Sequence, residues 1–592
     1  MRLVFDLETD NFLNSLTKIH RIGVRNLDDP DQTWSYGPSE IDKGIEQLAA
    51  ADMLAAHNGL VFDICAIKKL YPNFSTEGIL IRDTLVLSRL IRADLRNDDF
   101  LQAHKYPEMP KKLFGSHGLE AWGHRLGFLK GDFAKTTDWS EYSDEMMSYC
   151  LQDTLVTHRL WTELSPEKWS QKSINFEHKI AELCNRIGTA GWTFDQHEAA
   201  SLYAQLALER STLEDDLQTL FPDWVIEDEF IPKVNNKKLG YEKGVPFIKK
   251  KTVQFNPNSR KHVEFCLRNK YGWKPKEFTP SGDAKIDERT LGRLSFPEAK
   301  KLARSFMLQK RIGMLAEGNA AWMRLVDDDN KLRHTINPNG TVTGRASSFG
   351  PNLQQVPATR AEFGAECRSL FKPSPGYVLV GADLSGLELR CLAHFLDDKG
   401  AYAQEVVEGD VHTANMKAAG LTTRDQAKTF IYALLYGAGD SKIGSIVGKG
   451  AKEGSQLRKQ FLANFPAFKA LLTAVKHAVK QRGHLIGLDH RQLPIRSDHA
   501  ALNTLLQSAG ALVCKKWIEL VDAELTKQNL DARIIAWVHD EIQVEVRNHK
   551  EGDADHVGRI TRRMAEEAGR SFGFRVPIDA EYRVGSSWAG TH

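Results

Sequence analysis

Val378-Leu-Val-Gly-Ala-Asp383 is an apolar run that ends in an acid, and Ile534-Ile-Ala-Trp-Val-His-Asp540-Glu541 is a second one far downstream. Ile542-Gln-Val-Glu-Val546 follows at once. The pair of runs therefore reads as a hairpin with acids at its tip. A carboxylate beside a buried strand is costly unless a cation offsets it. Two such acids brought together by the fold repel unless metal ions lie between them. Two divalent ions roughly 4 Å apart are the usual apparatus of in-line phosphoryl transfer. Alone, each acid would read as an ordinary turn residue; the segment between them changes that.

That segment is Thr423-Arg-Asp-Gln-Ala-Lys-Thr-Phe-Ile-Tyr432-Ala-Leu-Leu-Tyr436-Gly437. Thr423-x-x-Gln426 is a capping box, and Gly437 is a stop signal. Arg424, Lys428 and Tyr432 fall at i, i+4 and i+8 on one stripe of the helix. Two cations followed by an aromatic ring suit a triphosphate followed by a sugar and base. A solvated basic face is the plainer alternative for this helix taken alone.

A second set of acids lies near the amino terminus. Arg2-Leu-Val-Phe-Asp6 reads as a strand, along which Asp6 and Glu8 alternate and share a face. Val61 to Leu70 has helical spacing after the turn His57-Asn58-Gly59 and carries Asp63. Ser143 is placed to cap a helix through Met147, Leu151 and Val156 to Leu164, with Asp144 and Glu145 in its first turn. Tyr149 and Asp153 are i, i+4 on that helix, and Ser165-Pro-Glu167 ends it. D-x-E on a strand is by itself more often a solvated pair. Four acids and a tyrosine from three elements can converge on two further metals and hydrolyse a phosphodiester.

Between these regions the pattern from about residue 176 is helical. Asp195-x-x-Glu198 opens a long helix with Leu202, Leu206, Leu213, Leu217 and Leu220 as its apolar set. Residues 225–252 interrupt it with a polar, Lys-rich stretch. Helical spacing returns near Arg260 and from Pro297 to Glu317, strands and loops fill 332–395, and 400–480 is helical. A helix near 501–527 precedes the hairpin at 533–546.

With 592 residues, a prior of roughly 100–200 residues per domain gives about three to five domains. Lys+Arg is 79 against Asp+Glu at 77, so any nucleic-acid surface must concentrate its cations locally. Cys65, Cys150, Cys184, Cys266, Cys367, Cys391 and Cys514 show no C-x-x-C spacing. Free thiols in a reducing cytoplasm are expected, with no zinc site. Met1 to Phe5 gives way at once to Asp6, so no signal peptide is expected. No apolar run approaches the ~20 residues that span a bilayer.

The segment Asp383-Leu-Ser-Gly-Leu-Glu-Leu-Arg390, the helix Arg424–Gly437 and the turn His539-Asp540-Glu541 resemble the three polymerase motifs of family A (Pol I-like) DNA polymerases. Gly409-Asp-Val-His412, Leu435-Tyr-Gly-Ala-Gly439 and Ala500-Ala-Leu-Asn-Thr-Leu-Leu-Gln-Ser-Ala-Gly-Ala511 point to the replicative enzymes of short-tailed, T-odd-type phages within it. The set Asp6-x-Glu8, Asn58…Asp63 and Tyr149-x-x-x-Asp153 resembles the DnaQ-type, RNase H-like 3′→5′ proofreading exonuclease. The resemblance spans nearly the whole chain.

It implies an α/β and α+β multidomain protein. The exonuclease domain would occupy 1–165. A right-hand polymerase would follow: linker and thumb at 166–330, palm at 331–400, fingers at 401–495 and the rest of the palm at 496–592. By resemblance, Asp383, Asp540 and the Leu384 carbonyl hold two Mg2+ ions, for which Mn2+ can substitute. Arg424, Lys428 and His412 contact the triphosphate. Glu388 lies under the deoxyribose and with Tyr432 blocks a 2′-hydroxyl; Tyr436 lies near the templating base. Arg345 and Gln507 read minor-groove acceptors that are nearly independent of sequence. His539 touches the primer terminus, and Arg304, Lys310 and Arg311 grip duplex phosphates. Asp6, Glu8, Asp63 and Asp153 hold two more metal ions, and Tyr149 orients the attacking water. Asn352-Leu-Gln-Gln-Val-Pro357 departs from the usual N-L-Q-N-I-P and leaves the role of Gln355 open.

The partners implied are primer–template DNA and dNTPs, with a phage helicase-primase and a processivity factor, in the cytoplasm of an infected bacterium. Two other readings share the palm motif. A single-subunit RNA polymerase is opposed by Glu388 and the nuclease acids; a non-catalytic DNA-binding subunit is opposed by the retained carboxylates. In the coliphage enzymes the thumb carries a long insertion that binds host thioredoxin. Here the insert is short, and 233–251 holds seven lysines and one acid. Contact with duplex phosphates is the expectation, with a solvated hairpin as the plainer alternative; thioredoxin binding is not expected.

Overall fold

The computed structural model describes residues 1–128, 137–279, 281–550 and 552–592. It divides into two compact units, one of Met1–Trp192, Arg333–Gln355 and Pro373–His592, the other of Thr193–Leu332 and Val356–Lys372.

In the first unit, strand Arg2–Thr9 runs through the middle of a five-stranded mixed sheet. It pairs antiparallel with Ile19–Asn26 and parallel with Met53–Ala56. The sheet is covered on both faces, so the strand is apolar almost throughout. Leu3, Phe5 and Leu7 enter one core with Ile45 and Ile67. Val4 enters the other, with Leu87, Leu90 and Leu160. Alternation then turns Asp6 and Glu8 to the Val4 side, where helix Glu145–Leu164 lies. That helix starts at Asp144 without a side-chain cap, and the Ser143 hydroxyl is buried without a hydrogen-bond partner. Ser143 is therefore not the cap that its position in the sequence suggested.

A second part of this unit is built on four antiparallel strands in the order Ala532–Val538, Glu541–Arg547, Tyr377–Leu384, Ala580–Gly585. Val380, Ala382 and Leu384 join a large core with Leu505, Ala509, Trp517 and Ile560. Leu379, Gly381 and Asp383 lie on the opposite face by alternation. The helices expected at 424–437 and 501–527 are present as Arg424–Leu435 and Ala501–Lys527. Thr423 caps the first through the Gln426 amide at 3.2 Å. The Gln426 side chain accepts from Thr422, one residue before the position a capping box would use.

Helix Gln171–Ala190 belongs to this unit, so the start of the segment expected as linker and thumb from 166 packs within the first unit, and the second unit begins at Thr193. Its Glu177 explains why. The Lys515 ammonium meets Glu177 at 2.5 Å, and both side chains are fully buried (0% exposed). Arg491 donates to Glu177, and to Asp489 at 2.7 Å. Asn339 Oδ1 accepts from both cations, at 3.2 Å from Arg491 and 3.0 Å from Lys515. Burial pulls the Lys515 ammonium down and Glu177 opposes it. Burial also opposes the Arg491 charge, but Glu177 and Asp489 outweigh it and raise its pKa. Two cations and two anions leave the cluster neutral. Gly344 rests on it at φ +77°, where a Cβ would lie 2.7 Å from Arg491. Removing one partner of a buried pair strands the other, so Lys515→Met should cost about 3–5 kcal/mol. A denaturation midpoint equal to that of wild type would remove the cluster from the stability of the unit.

In the second unit, helices Gln196–Leu220 and Pro297–Ile312 share a core that includes Leu217, Phe221, Leu267 and Leu302. Asp195 caps the first through the Glu198 amide at 3.0 Å. The Lys-rich stretch is a hairpin of Trp224–Phe230 and Phe247–Val253. Its register sets Glu227 opposite Lys250 and Asp228 opposite Lys249. Lys250 reaches Glu227 at 2.8 Å, and Lys249 sits 3.8 Å from the Phe230 ring centroid. Part of its positive charge is thus met within the hairpin by acids just outside the window 233–251. The hairpin also exposes Val225, Ile231, Val234, Leu239 and Ile248, more apolar surface than the lysine count suggested.

Candidate active sites

The two carboxylates singled out in the sequence come together at one end of the four-stranded sheet. Asp383 closes its strand, and Asp540 occupies the two-residue turn between Val538 and Glu541. His539 opens that turn at φ +60°, as the first position of such a hairpin requires. The Leu384 amide donates to the Asp540 carbonyl at 3.1 Å and ties the two strand ends together. Asp383 stands in register with Glu541 on one side and Glu581 on the other. Residues directly opposite share a face, so three acids lie in a row and Asp540 lies beside them. The Asp383 carboxylate opens on a cavity of about 480 Å3 while protein packs around its base. That partial burial, then the charges of Asp540, Glu541, Glu581 and Glu388, push its pKa up to about 8. Burial and Glu388 raise Asp540 as well. Glu541 is held elsewhere: Trp588 and Gln543 each donate to it at 2.6 Å.

The cavity is flanked by Glu388 and Tyr432. The Tyr436 hydroxyl donates to Glu388 at 3.3 Å, and Arg345 approaches the same carboxylate at 3.7 Å. Tyr432 and Tyr436 lie nearly parallel, with ring centroids 6.5 Å apart. Burial, followed by Glu388, keeps the Tyr432 phenol protonated, with its pKa pushed up to about 12. His412 lies 6.5 Å from the Tyr432 ring. Its imidazole is held neutral by burial and by Arg424 and Lys428. Arg424 donates to Asp410 at 2.9 Å, and Asp410 also caps the helix that carries His412. Lys428 is exposed. Gln507 lies half-buried on helix Ala501–Lys527, and His539 is exposed on its turn.

At the amino terminus, helix Asp63–Leu70 brings Asp63 against the strand, where its carboxylate accepts from the Leu7 amide at 3.2 Å. Burial pushes the pKa of Asp63 up to about 7, with Asp83 and Asp153 adding to the rise. Ligand atoms of Asp6, Glu8 and Cys150 all lie within 4.8 Å of one another. The Cys150 thiol is pushed well above its ordinary range by burial and by Asp6, Glu8 and Asp153, and it donates to the Asp6 carbonyl. It therefore packs as a neutral thiol, which leaves the carboxylates as the groups able to hold a metal. Tyr149 packs edge-on against Trp139 at 6.0 Å.

The thumb cations fare differently. Arg304 is bonded to Glu209, at 2.9 Å, and to Glu362. Arg311 is buried and donates to the Glu362 carbonyl. Two acids distant in sequence fold onto Arg304, and Arg311 is buried against a backbone carbonyl, so neither guanidinium stands free for a phosphate. Lys310 is exposed and shares a cavity with Arg260 and Arg289. Three further acids were missed. Glu581 is set beside Asp383 only by strand register. Asp410 could have been suspected as a helix cap before Val411. Asp83 is buried; it accepts from the amides of Asn58 and Leu60 and so shapes the turn before Asp63.

The sequence matches DNA polymerase family A over residues 238–590. It is 35% identical to the DNA-directed DNA polymerase of Enterobacteria phage T3 over 715 positions, covering all of both chains. The same identity and coverage hold for that of Escherichia phage T7. Those alignments are longer than the 592 residues here, so the relatives carry stretches that this chain lacks. DNA polymerase I of Bacillus caldotenax is 30% identical over 45% of this chain and 32% of its own length. Among solved structures, the POL domain of Pol1 from M. smegmatis, in complex with DNA primer-template and dNTP, superposes with a TM-score of 0.75. It is 18% identical and covers 100% of this chain and 95% of its own. That likeness speaks to the fold.

Proposed function

The chain belongs to DNA polymerase family A and is a DNA-directed DNA polymerase; we propose that it works through divalent ions held by Asp383, Asp540 and the Leu384 carbonyl, and that residues 1–165 form a 3′→5′ proofreading exonuclease. The observation that carries the first part is the row Glu541, Asp383, Glu581 with Asp540 beside it. So many acids at one sheet end call for cations. Two Mg2+ ions are the proposed complement, with Mn2+ able to replace them. When bound, they would lower the pKa of the primer 3′-hydroxyl and neutralise the departing pyrophosphate.

The chain's own groups do the positioning. Lys428 and His412 line the approach for the triphosphate, and Arg424 joins them by leaving or sharing Asp410. Glu388 and the two tyrosines form the platform for sugar and base. Arg345 and Gln507 are placed to test the minor groove, and His539 to touch the primer end. In the amino-terminal part, Asp6, Glu8, Asp63 and Asp153 would hold a second pair of ions, and Tyr149 would orient the attacking water. The substrates proposed are primer–template DNA and dNTPs, within an infected bacterial cell. None of the helices among the described residues is long and apolar enough to cross a membrane. A helicase-primase is a reasonable replication partner, and extension is proposed not to require thioredoxin.

Primer extension with and without Mg2+ tests the reading; extension that persists in excess chelator would end it. Comparing dNTP with rNTP incorporation separates it from an RNA polymerase. A finer test concerns Tyr432. Its protonated hydroxyl faces the sugar site and can donate where a missing 3′-hydroxyl would have been. Wild type is expected to take dideoxynucleotides readily, and Tyr432→Phe to discriminate against them by roughly 100-fold or more, about 2.7 kcal/mol. Equal terminator sensitivity of the two proteins would remove Tyr432 from the sugar pocket.

A further inference from the structure

The first unit holds a second basic cavity that the polymerase and nuclease sites leave unused. It has a volume of about 590 Å3. One wall is helix Thr84–Ile91 with residues 115–118, and the other is the loop around Thr341 with Arg496. Arg89 lines it. Burial lowers the pKa of its guanidinium, and among the described residues it has no hydrogen bond and no ion pair. The charge of Asp83 opposes that shift, but among the described residues no carboxylate lies within ion-pair distance of the half-buried guanidinium, which leaves its N–H groups for an anion.

His117 lines the same wall. Trp122 Nε1 donates to the Ser88 hydroxyl at 2.9 Å, and Ser88 shares a hydrogen bond of 2.7 Å with His117 Nδ1. Burial, then Arg89 and Arg125, hold this imidazole neutral, with its pKa pushed down to about 3. Arg96 packs its stem over Gly115 and adds a third cation to the lining, beside Arg89 and Arg496. Asp94 is the one acid in the lining and is spent on Arg496 at 2.6 Å. The lining keeps a net positive charge, the complement of a phosphate oxyanion.

The position of the cavity suggests what the phosphate belongs to. Helix Thr84–Ile91 begins immediately after Asp83, the acid that shapes the turn before Asp63, and Arg89 is six residues along, about 9 Å of helix axis. Thr341 lies four residues before Arg345, on the loop that the Asn339 cluster anchors. We propose that this cavity is a phosphate subsite that holds a backbone phosphodiester of the primer strand while its end passes from the polymerase acids to the nuclease acids. The proposal rests on the exonuclease reading of residues 1–165.

The test uses the full chain with two substrates. One is a primer–template whose primer ends in a mismatch, which must transfer; the other is a short single strand, which need not. Arg89→Met should slow excision of the mismatch at least about tenfold relative to hydrolysis of the single strand, and Arg89→Lys should restore most of it. A neutral methylphosphonate at one internal linkage near the primer end should reproduce the loss in wild type and add little in Arg89→Met. Millimolar inorganic phosphate that inhibits mismatch excision in wild type, but not in Arg89→Met, would support the same site with free phosphate as an occupant. If Arg89→Met slows both substrates in parallel, Arg89 is a structural residue of the nuclease and the proposal falls. It falls equally if neither substrate is affected, or if neither phosphate arm distinguishes the variant. Absence of single-strand hydrolysis in wild type would instead remove the exonuclease reading itself.

Discussion

Asp383→Asn is expected to abolish primer extension, by at least about 1,000-fold or roughly 4 kcal/mol of transition-state stabilisation, while hydrolysis of single-stranded DNA continues. The substitution is nearly isosteric and removes one negative charge and one metal-ligating oxygen. In the metal-free protein burial, then the charges of Asp540, Glu541, Glu581 and Glu388, push its pKa up to about 8. Relief of that crowding should leave the variant no less stable than wild type in chelator. The two readouts together exclude the trivial explanation: lost extension with an unchanged or raised denaturation midpoint is a site defect, not a folding defect. Extension at a near wild-type rate would mean that Asp383 is not at the reacting centre.

The cluster proposed as the polymerase centre was legible as a cluster because its parts lie in three contiguous segments whose local structure is strongly signalled. A strand ending in Asp383, a capped helix from Arg424 and a tight turn at Asp540 each follow from neighbours within a few residues. Glu581 could not be found that way. Its place beside Asp383 depends on which strand the sheet chooses as a neighbour, and that choice is made by the core formed behind Val380 and Ala382. The same limit explains the thumb. Spacing places Arg304, Lys310 and Arg311 on a helix, but only tertiary packing decides that Glu209 and Glu362 neutralise the first and that the last is buried. The charge balance of the Lys-rich hairpin was hidden for a related reason: cross-strand pairing brings Glu227 and Asp228 opposite lysines that are distant along the chain.

At the amino terminus the alternation of one strand decides the outcome. The same period that buries Val4 beneath helix Glu145–Leu164 turns Asp6 and Glu8 toward the side that carries Asp153. The double change Asp6→Ala, Glu8→Ala should therefore remove two metal-ligating carboxylates at once and lower nuclease activity on single strands by about 10,000-fold or more, roughly 5.5 kcal/mol. The strand itself should survive. Its stability comes from Leu3, Val4, Phe5 and Leu7 and from the backbone ladder to Ile19–Asn26, none of which the changes touch. Removing two acids near Cys150 and Asp153 also relieves like-charge crowding. Extension depends on a different sheet and should persist near the wild-type rate. Misincorporated ends should then accumulate, because nothing removes them. Metal-dependent degradation that survives in the purified double variant would place the nuclease elsewhere in the chain. Loss of extension together with degradation would mean that the two centres do not act independently.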